Sequence, residues 1–469
     1  MTRINRKTEP VYTHAGAKAV RVNPELQLRR SVLSCLLWEN EHYEDGVEIA
    51  NRIKGLIQKV SPEIVASLAI EARENMKLRH IPLFIVREMA RLDTHKYLVA
   101  KTLERVIQRA DELTEFLALY WKDNPEQPIS AQVKKGLAKA FCKFNEYEFA
   151  KYNRGTTIKF RDVAFLCHPK AGNDKKLGKT IAQLVNKSFY PDKIKKVYGL
   201  DVYEKLPTPD TWEVQLSKCG NKVEIWERLI KENKLGALAY LRNLRNMLDV
   251  NTNISLIKEG LQKVKVDRIL PFRFITAASY APALEEDLEE LMLKCLVTQE
   301  KLSGKTILVV DVSGSMTSNL SERSKLTRMD TAFALSIFLR EVCDDISIYT
   351  TAGNDTTRIH ATKLVPSRHG FSLSDVMRSL YNELGGGGIF LTQCLNYICE
   401  KEKTADRIIV ITDEQDCDYK LTPDRANAFG KTNYLVNIAS ARNGIGYGKW
   451  VHIDGWSEAI VNFIVEFEK

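Results

Sequence analysis

The sequence predicts a mainly α-helical chain that ends in an α/β domain, with the change near residue 300. Three observations carry this prediction. From residue 29 to residue 120, apolar residues recur at helical spacing in one segment after another, with short connections and little strand-like alternation. From residue 306 onward, short apolar runs of strand length alternate with amphipathic segments of helix length. The first such run, Thr306-Ile307-Leu308-Val309-Val310, leads directly into Asp311-Val312-Ser313-Gly314-Ser315, a polar loop at the end of a buried strand.

In the first part the spacing predicts helices over 29–41, 48–58, 62–75, 81–92, 95–109 and 110–120. Paired helices of this size stack side by side, each pair leaning on its neighbours. No crisp internal repeat is present, so a degenerate HEAT-like array describes residues 1–300 best. In residues 301–469, strands are expected at 306–310, 346–349, 407–412, 434–438 and 450–453. Helices are expected from about 326, over 374–383 and 391–402, and from 456 to 467. Strands that alternate with helices imply a doubly wound parallel sheet covered on both faces. Such sheets bind ligands at the carboxyl ends of their strands, where Asp311 and Asp413 both fall.

A chain of 469 residues suggests two or three domains. Met1 to Pro10 is polar with no apolar run behind it, and no stretch of membrane-spanning length is apolar, so neither a secretory signal nor a membrane span is expected. Nine scattered cysteines, with Cys394 and Cys399 the closest pair, read as reduced thiols of a cytoplasmic protein. The net charge of +9 is placed unevenly: residues 301–469 carry −2, and residues 131–200 alone carry +11. A local cationic excess of this density reads as a nucleic-acid surface, because cations neutralise phosphates. The aromatics interleaved with it are Phe141, Phe144, Tyr147, Phe149, Tyr152, Phe160 and Tyr190. Most of them are expected in the core, and any left exposed could stack on unpaired bases.

Asp311, Ser313 and Ser315 aim one carboxylate and two hydroxyls at a single point above the sheet edge. Oxygen-only donors with room for water suit Mg²⁺ or another divalent cation. The arrangement resembles the metal-ion-dependent adhesion site of a von Willebrand factor A domain, a Rossmann-like fold. That resemblance implies a further Thr ligand from a second loop and an Asp from a third. Asp413, in Thr412-Asp413-Glu414, matches the third loop. The second loop departs from the family pattern, with Gly386-Gly387-Gly388 where the family has Gly-Gly-Thr. Either Thr392 reaches the metal from a reshaped loop, or the site has lost one ligand.

The helical part resembles a TROVE domain. Its landmarks are Leu28-Arg29-Arg30-Ser31-Val32-Leu33, Tyr43-Glu44-Asp45-Gly46, Arg79-His80-Ile81-Pro82-Leu83, Leu206-Pro207-Thr208-Pro209-Asp210-Thr211-Trp212-Glu213, Leu241-Arg242-Asn243-Leu244-Arg245-Asn246 and Arg268-Ile269-Leu270-Pro271-Phe272-Arg273. Together with the metal loop, this order is similar to the Ro ribonucleoprotein family. The resemblance implies a monomeric ring of HEAT-like repeats closed by the A domain. It implies Y-like small non-coding RNA on the outer basic face and single-stranded 3′ ends of defective RNAs in the hole. It also implies an exoribonuclease partner such as polynucleotide phosphorylase. Lys151, Arg154 and His168 match the family's RNA contacts, with Arg161 in the same segment. Lys170, Lys175, Lys176 and Lys179 would extend the phosphate surface. His168 precedes Pro169 and is expected at the end of its helix.

Catalysis is not expected. Gly385 to Gly388 lacks the Lys of a phosphate loop, and no nucleophile elbow stands out. The acidic run Asp413, Glu414, Asp416 and Asp418 reads as a solvated loop. The alternative to RNA binding is a Mg²⁺-dependent protein-binding module, adhesion- or chaperone-like, in which a partner's acidic residue completes the metal shell.

Overall fold

The computed structural model describes residues 11–12, 18–19, 23–33, 46–76, 78–153, 157–185, 206–218, 222–265, 269, 272–297, 301–320, 326–418, 428–439, 450–455 and 459–468. The chain forms two compact units: Arg52–Gly220, and Met1–Asn51 together with Asn221–Lys469. The first helices are α1 (Pro24–Leu33), α2 (Gly46–Ile57), α3 (Pro62–Glu74), α4 (His80–Arg91), α5 (Lys96–Val106) and α6 (Asp111–Trp121). They are followed by α7 (Ala131–Phe141), α8 (Glu146–Tyr152), α9 (Phe160–Cys167) and α10 (Lys175–Val185). Helix α1 starts earlier than apolar spacing alone suggests. Pro24 suits a first helical position, and Asn23 Oδ1 accepts the Leu26 N–H at 2.8 Å. A short antiparallel ribbon of β1 (Val11–Tyr12) and β2 (Lys18–Ala19) precedes it.

In the Arg52–Gly220 unit, α3 packs on α5, α5 on α7 and α7 on α9, while α4 packs on α6. Helices two apart in the chain therefore lie side by side, the layered stacking of a helical repeat array. Gly136 lets α7 approach α5: a Cβ there would lie 3.0 Å from the Ala100 carbonyl oxygen. A buried ion pair with a full set of partners links two of these helices. Arg73 Nη2 pairs with Glu112 Oε1 at 2.6 Å and Arg73 Nε donates to the Val106 carbonyl at 3.0 Å. The other Glu112 oxygen accepts the Gln108 and Arg109 N–H groups at 2.8 and 3.1 Å, which ties α3 to the start of α6.

In the other unit, helices continue to Val297 and strands begin at Leu302. The sheet strands are β3 (Leu302–Asp311), β4 (Cys343–Asn354), β5 (Ile359–Leu364), β6 (Ala405–Thr412), β7 (Gly430–Asn437) and β8 (Val451–Asp454). They run in the order β5-β4-β3-β6-β7-β8. All neighbours are parallel except β4 and β5. Ile307 and Val309 pack against Leu391, Leu395 and Ile398 of helix Leu391–Glu402 on one face. Helix Arg328–Val342 packs on β3 and β4. Successive β3 side chains alternate faces and all are buried from Thr306 to Asp311, which is why the strand reads as an unbroken apolar run.

The architecture matches the expected class of mainly α plus a doubly wound α/β sheet. Two details differ from the sequence reading. Strand β5 is an antiparallel edge strand whose residues are largely exposed, so no apolar alternation announces it. The acidic run after β6 is not solvated: Asp413, Glu414 and Asp416 are fully buried and Asp418 is 3% exposed. The strand end drives it into the domain, where backbone N–H groups and cations take up its charge. Among the described residues, no helix is long and apolar enough to cross a membrane.

Candidate nucleic-acid interface and metal loop

The basic segment is carried by α8, α9 and α10, with α10 packed on both of the others. Asn145 and Glu148 form a capping box that starts α8. Lys151 lies in its last turn, with Nζ 5.5 Å from the centre of the Tyr152 ring. Arg109 faces the same ring at 4.9 Å. Arg154 lies outside the described residues, as does Tyr190. Helix α9 begins where the Lys159 N–H donates to Asp162 Oδ2 at 2.8 Å. Arg161 Nε lies 3.3 Å from Asp162 Oδ1, and nearly half of the Arg161 side chain remains exposed.

His168 ends α9 as expected. It sits in the left-handed region at φ 49°, and its N–H donates to the Ala164 carbonyl at 2.9 Å. Its side chain is exposed, as is that of Lys170. The Lys170 carbonyl accepts from Cys142 Sγ at 3.5 Å, which ties this loop to the end of α7. Asp174 Oδ1 accepts the Lys176 and Leu177 N–H groups at 2.9 and 3.0 Å and starts α10. On α10 the apolar face buries Leu177 and Ala182, leaving Lys175, Lys176 and Lys179 exposed.

Four of the interleaved aromatics are core. Phe149 stacks with Phe141, Phe144 and Phe160 at centroid distances of 4.6, 6.1 and 5.1 Å. Tyr152 is half-buried and Tyr147 is exposed.

In the other unit, three loops meet at the carboxyl edge of β3 and β6. Asp311 Oδ1 accepts the Ser313 N–H at 2.8 Å, and Oδ2 accepts the Thr412 hydroxyl at 2.6 Å. The Ser313 and Ser315 hydroxyls are 3.3 Å apart. Asp413 Oδ1 accepts the Gln415 N–H at 3.2 Å, and Oδ2 faces Arg328 Nη1 at 3.4 Å. Burial, followed by the Asp413 charge, pushes the Asp311 carboxyl up to about 7 against the hydrogen bonds that favour its ionised form. Burial likewise raises Asp416 to about 7, with Asp418 adding to it.

The glycine loop lies against the first loop, and there is little room for side chains on it. A Cβ at Gly387 would lie 2.1 Å from the Gly353 carbonyl oxygen, and one at Gly388 2.2 Å from Cys417 Sγ. A side chain at 388 requires the Cys417 thiol to move. The Gly386 carbonyl oxygen abuts Gly314 of the first loop, where a Cβ would lie 3.0 Å from it. Thr392, two residues into the helix that follows, is buried, and its Oγ1 has no hydrogen-bond partner among the described residues. Its buried hydroxyl, the Asp311 and Asp413 carboxylates and the Ser313–Ser315 hydroxyl pair are oxygen donors of the kind a hard divalent cation takes. Asp311, Ser313, Ser315, Thr392 and Asp413 could hold one, sharing Asp413 with Arg328.

Sequence reasoning missed a buried ionic cluster beside this loop. Glu414, at φ 63°, turns its carboxylate away from Asp413 into the domain. There Oε2 meets Arg30 of α1 at 2.8 Å, and Oε1 bonds His452 Nε2 of β8. His452 Nδ1 lies 3.4 Å from Asp454 Oδ2, and Asn437 donates to Asp454 Oδ1 at 2.9 Å. Burial of the imidazole opposes its charge, but the Glu414 and Asp454 carboxylates prevail and raise it to about 9. Burial also opposes ionisation of Asp454, and the His452 charge and hydrogen bond lower it nonetheless. No spacing signal links residues 30, 414, 452 and 454.

The fold and these loops define a helical-repeat protein joined to a doubly wound α/β domain with an oxygen-lined loop. Residues 203–336 match the TROVE domain family. The Telomerase protein component 1 of Rattus norvegicus is 25% identical over 302 residues, spanning 49% of this chain and 11% of that protein. The Mus musculus protein of the same name is 44% identical over 92 residues, 18% of this chain and 3% of its own length. The chain thus spans about a tenth or less of these relatives. The crystal structure of the Deinococcus radiodurans Ro (RSR) protein superposes with a TM-score of 0.59 at 15% identity. The match covers 95% of this chain and 99% of that one, which shows a shared fold. Residues 203–336 are thus similar to a TROVE domain, and the chain shares the fold of the Ro (RSR) protein.

Proposed function

We propose that the protein is the non-catalytic RNA-binding component of a small cytoplasmic ribonucleoprotein that works in RNA quality control. It holds a Y-like small non-coding RNA on the basic surface of α8–α10 and takes single-stranded 3′ ends of defective RNAs. An exoribonuclease such as polynucleotide phosphorylase is its proposed enzymatic partner, and the protein itself is a monomer. The observation that carries this reading is the concentration of exposed cations on three adjacent short helices: Lys159, Arg161, Lys170, Lys175, Lys176 and Lys179, with Lys151 and His168 beside them. Phosphate contacts of this kind position an RNA and make its binding steeply salt-dependent.

The test is purification from the native host at low salt, with sequencing of co-purifying RNA, for the wild type and a Lys151→Ala, Arg154→Ala double variant. A discrete small RNA that is lost in the variant is expected. No enriched RNA, or equal RNA in both samples, would overturn the assignment.

A second, compatible role rests on the orphaned Thr392 hydroxyl. A divalent cation such as Mg²⁺ held by Asp311, Ser313, Ser315, Thr392 and Asp413 would supply an open coordination position for an acidic residue of a protein partner. Loss of Asp311 should then abolish protein recruitment and leave RNA binding intact.

A further inference from the structure

The connection between α5 and α6 brings a cation to the edge of the basic surface. The Gln108 and Arg109 N–H groups donate to Glu112 Oε2 at 2.8 and 3.1 Å, which fixes the backbone at this point. Asp111 holds the Arg109 guanidinium: Nε donates to Oδ1 at 3.2 Å and Nη2 to Oδ2 at 2.8 Å, so Nη1 takes part in neither bond. Asp111 also receives Arg79 Nη2 at 2.7 Å, and one carboxylate is thereby shared between two guanidinium groups. The Arg109 side chain is 41% exposed against 19% for Asp111, which makes the cation the more accessible member of the pair.

Arg109 then meets the last turn of α8. Its guanidinium carbon lies 4.9 Å from the centre of the Tyr152 ring and Lys151 Nζ lies 5.5 Å from it, so the two charges are within about 10 Å of one another. A cation–ring contact at an exposed site is worth only about 0.5–1 kcal/mol, and repulsion between the two cations works against it. Among the described residues no carboxylate pairs with Lys151. Two cations from different elements, one without an anionic partner and one sharing its partner, are completed by an anion from outside the protein. Lys151 belongs to the basic surface of α8–α10, so an RNA lying on that surface meets Arg109 beside it.

We propose that Arg109 is a further RNA-binding residue: with Lys151 it forms a two-cation site for a backbone phosphate, and the Tyr152 ring holds the two side chains in place. This inference deepens the RNA-binding reading and rests on it. It adds that the RNA path leaves α8 and crosses onto the connection before α6, outside the cationic stretch 131–200.

The experiment uses the full chain and a fluorescently labelled single-stranded oligouridylate, with affinities measured from about 50 to about 200 mM salt. The proteins are the wild type, Arg109→Gln, Tyr152→Phe, Tyr152→Leu and the Arg109→Gln, Tyr152→Leu double variant. Thermal melting checks folding, and Asp111 keeps Arg79 when Arg109 is replaced. Arg109→Gln should bind more weakly and lower the slope of log affinity against log salt by about 0.7, the share of one phosphate contact on a single strand. The affinity it loses across that salt range should then be about two- to threefold smaller than the wild type loses. Tyr152→Phe keeps the ring and should bind as the wild type does. Tyr152→Leu should weaken binding in the wild-type background and change nothing further in Arg109→Gln. A wild-type slope in Arg109→Gln, whether or not its affinity falls, would overturn the phosphate contact and leave the RNA-binding reading standing. Wild-type affinity in Tyr152→Leu would overturn the role of the ring. A wild type that does not bind the probe at low salt would instead overturn the RNA-binding reading itself.

Discussion

The buried His452 makes stability on the alkaline side of neutrality a direct test of the ionic cluster. Its imidazole rises from the ordinary 6.5 to about 9 in the folded chain because Glu414 and Asp454 face it from two sides. A group whose folded value is raised binds its proton more tightly in the native state. Its contribution is therefore complete below about pH 6.5 and is lost progressively as the pH climbs through about 9. At about 1.4 kcal/mol per pH unit, that interval corresponds to about 3 kcal/mol, a large part of a typical domain's stability. His452→Gln removes the titration without leaving Glu414 unpaired, since Arg30 remains 2.8 Å from it. Urea denaturation of the wild type and His452→Gln in steps from about pH 6 to about pH 10 isolates the effect. The Asp311 and Asp416 carboxyls, raised to about 7, act in a lower window and are common to both proteins. The wild type should lose about 3 kcal/mol more than the variant across this range. Parallel pH profiles would refute the claim that these carboxylates hold the imidazole charged.

Two further outcomes concern the loops around Asp311. Gly388→Thr should destabilise the domain by about 1–3 kcal/mol because its Cβ meets Cys417 Sγ. A parallel Cys417→Ala substitution should return part of that loss in thermal melting. Thr392→Val keeps the shape and removes an unpartnered buried hydroxyl, so without divalent cation it should be neutral or up to about 1 kcal/mol more stable. With millimolar Mg²⁺ the wild type should gain melting temperature and Thr392→Val should gain less, and equal gains would exclude Thr392 as a ligand.

Local chemistry is what the chain announces of itself. The β3 run is apolar throughout because both faces of a central parallel strand are covered, and the Asp311-Val312-Ser313-Gly314-Ser315 loop needs no tertiary context to be recognised. The position of His168 follows from Pro169, and the basic character of residues 131–200 is a matter of counting. Helical spacing also places Phe141, Phe149 and Phe160 inside, where they stack.

Whatever depends on which distant segments meet was decided by the tertiary structure. The acidic run after β6 looks solvated in isolation, yet the sheet edge carries it inward, where Arg30, Arg328 and His452 from three remote elements compensate two of its carboxylates. Cys417 occupies the space that a side chain at Gly388 would take, a contact no local pattern announces. Phe165 is as apolar as Phe160 on the same helix, and only the packing of α9 leaves it 39% exposed while Phe160 is buried. Periodicity reports that a residue lies on a face; which face is covered depends on contacts between residues far apart in the chain, and no local pattern encodes those.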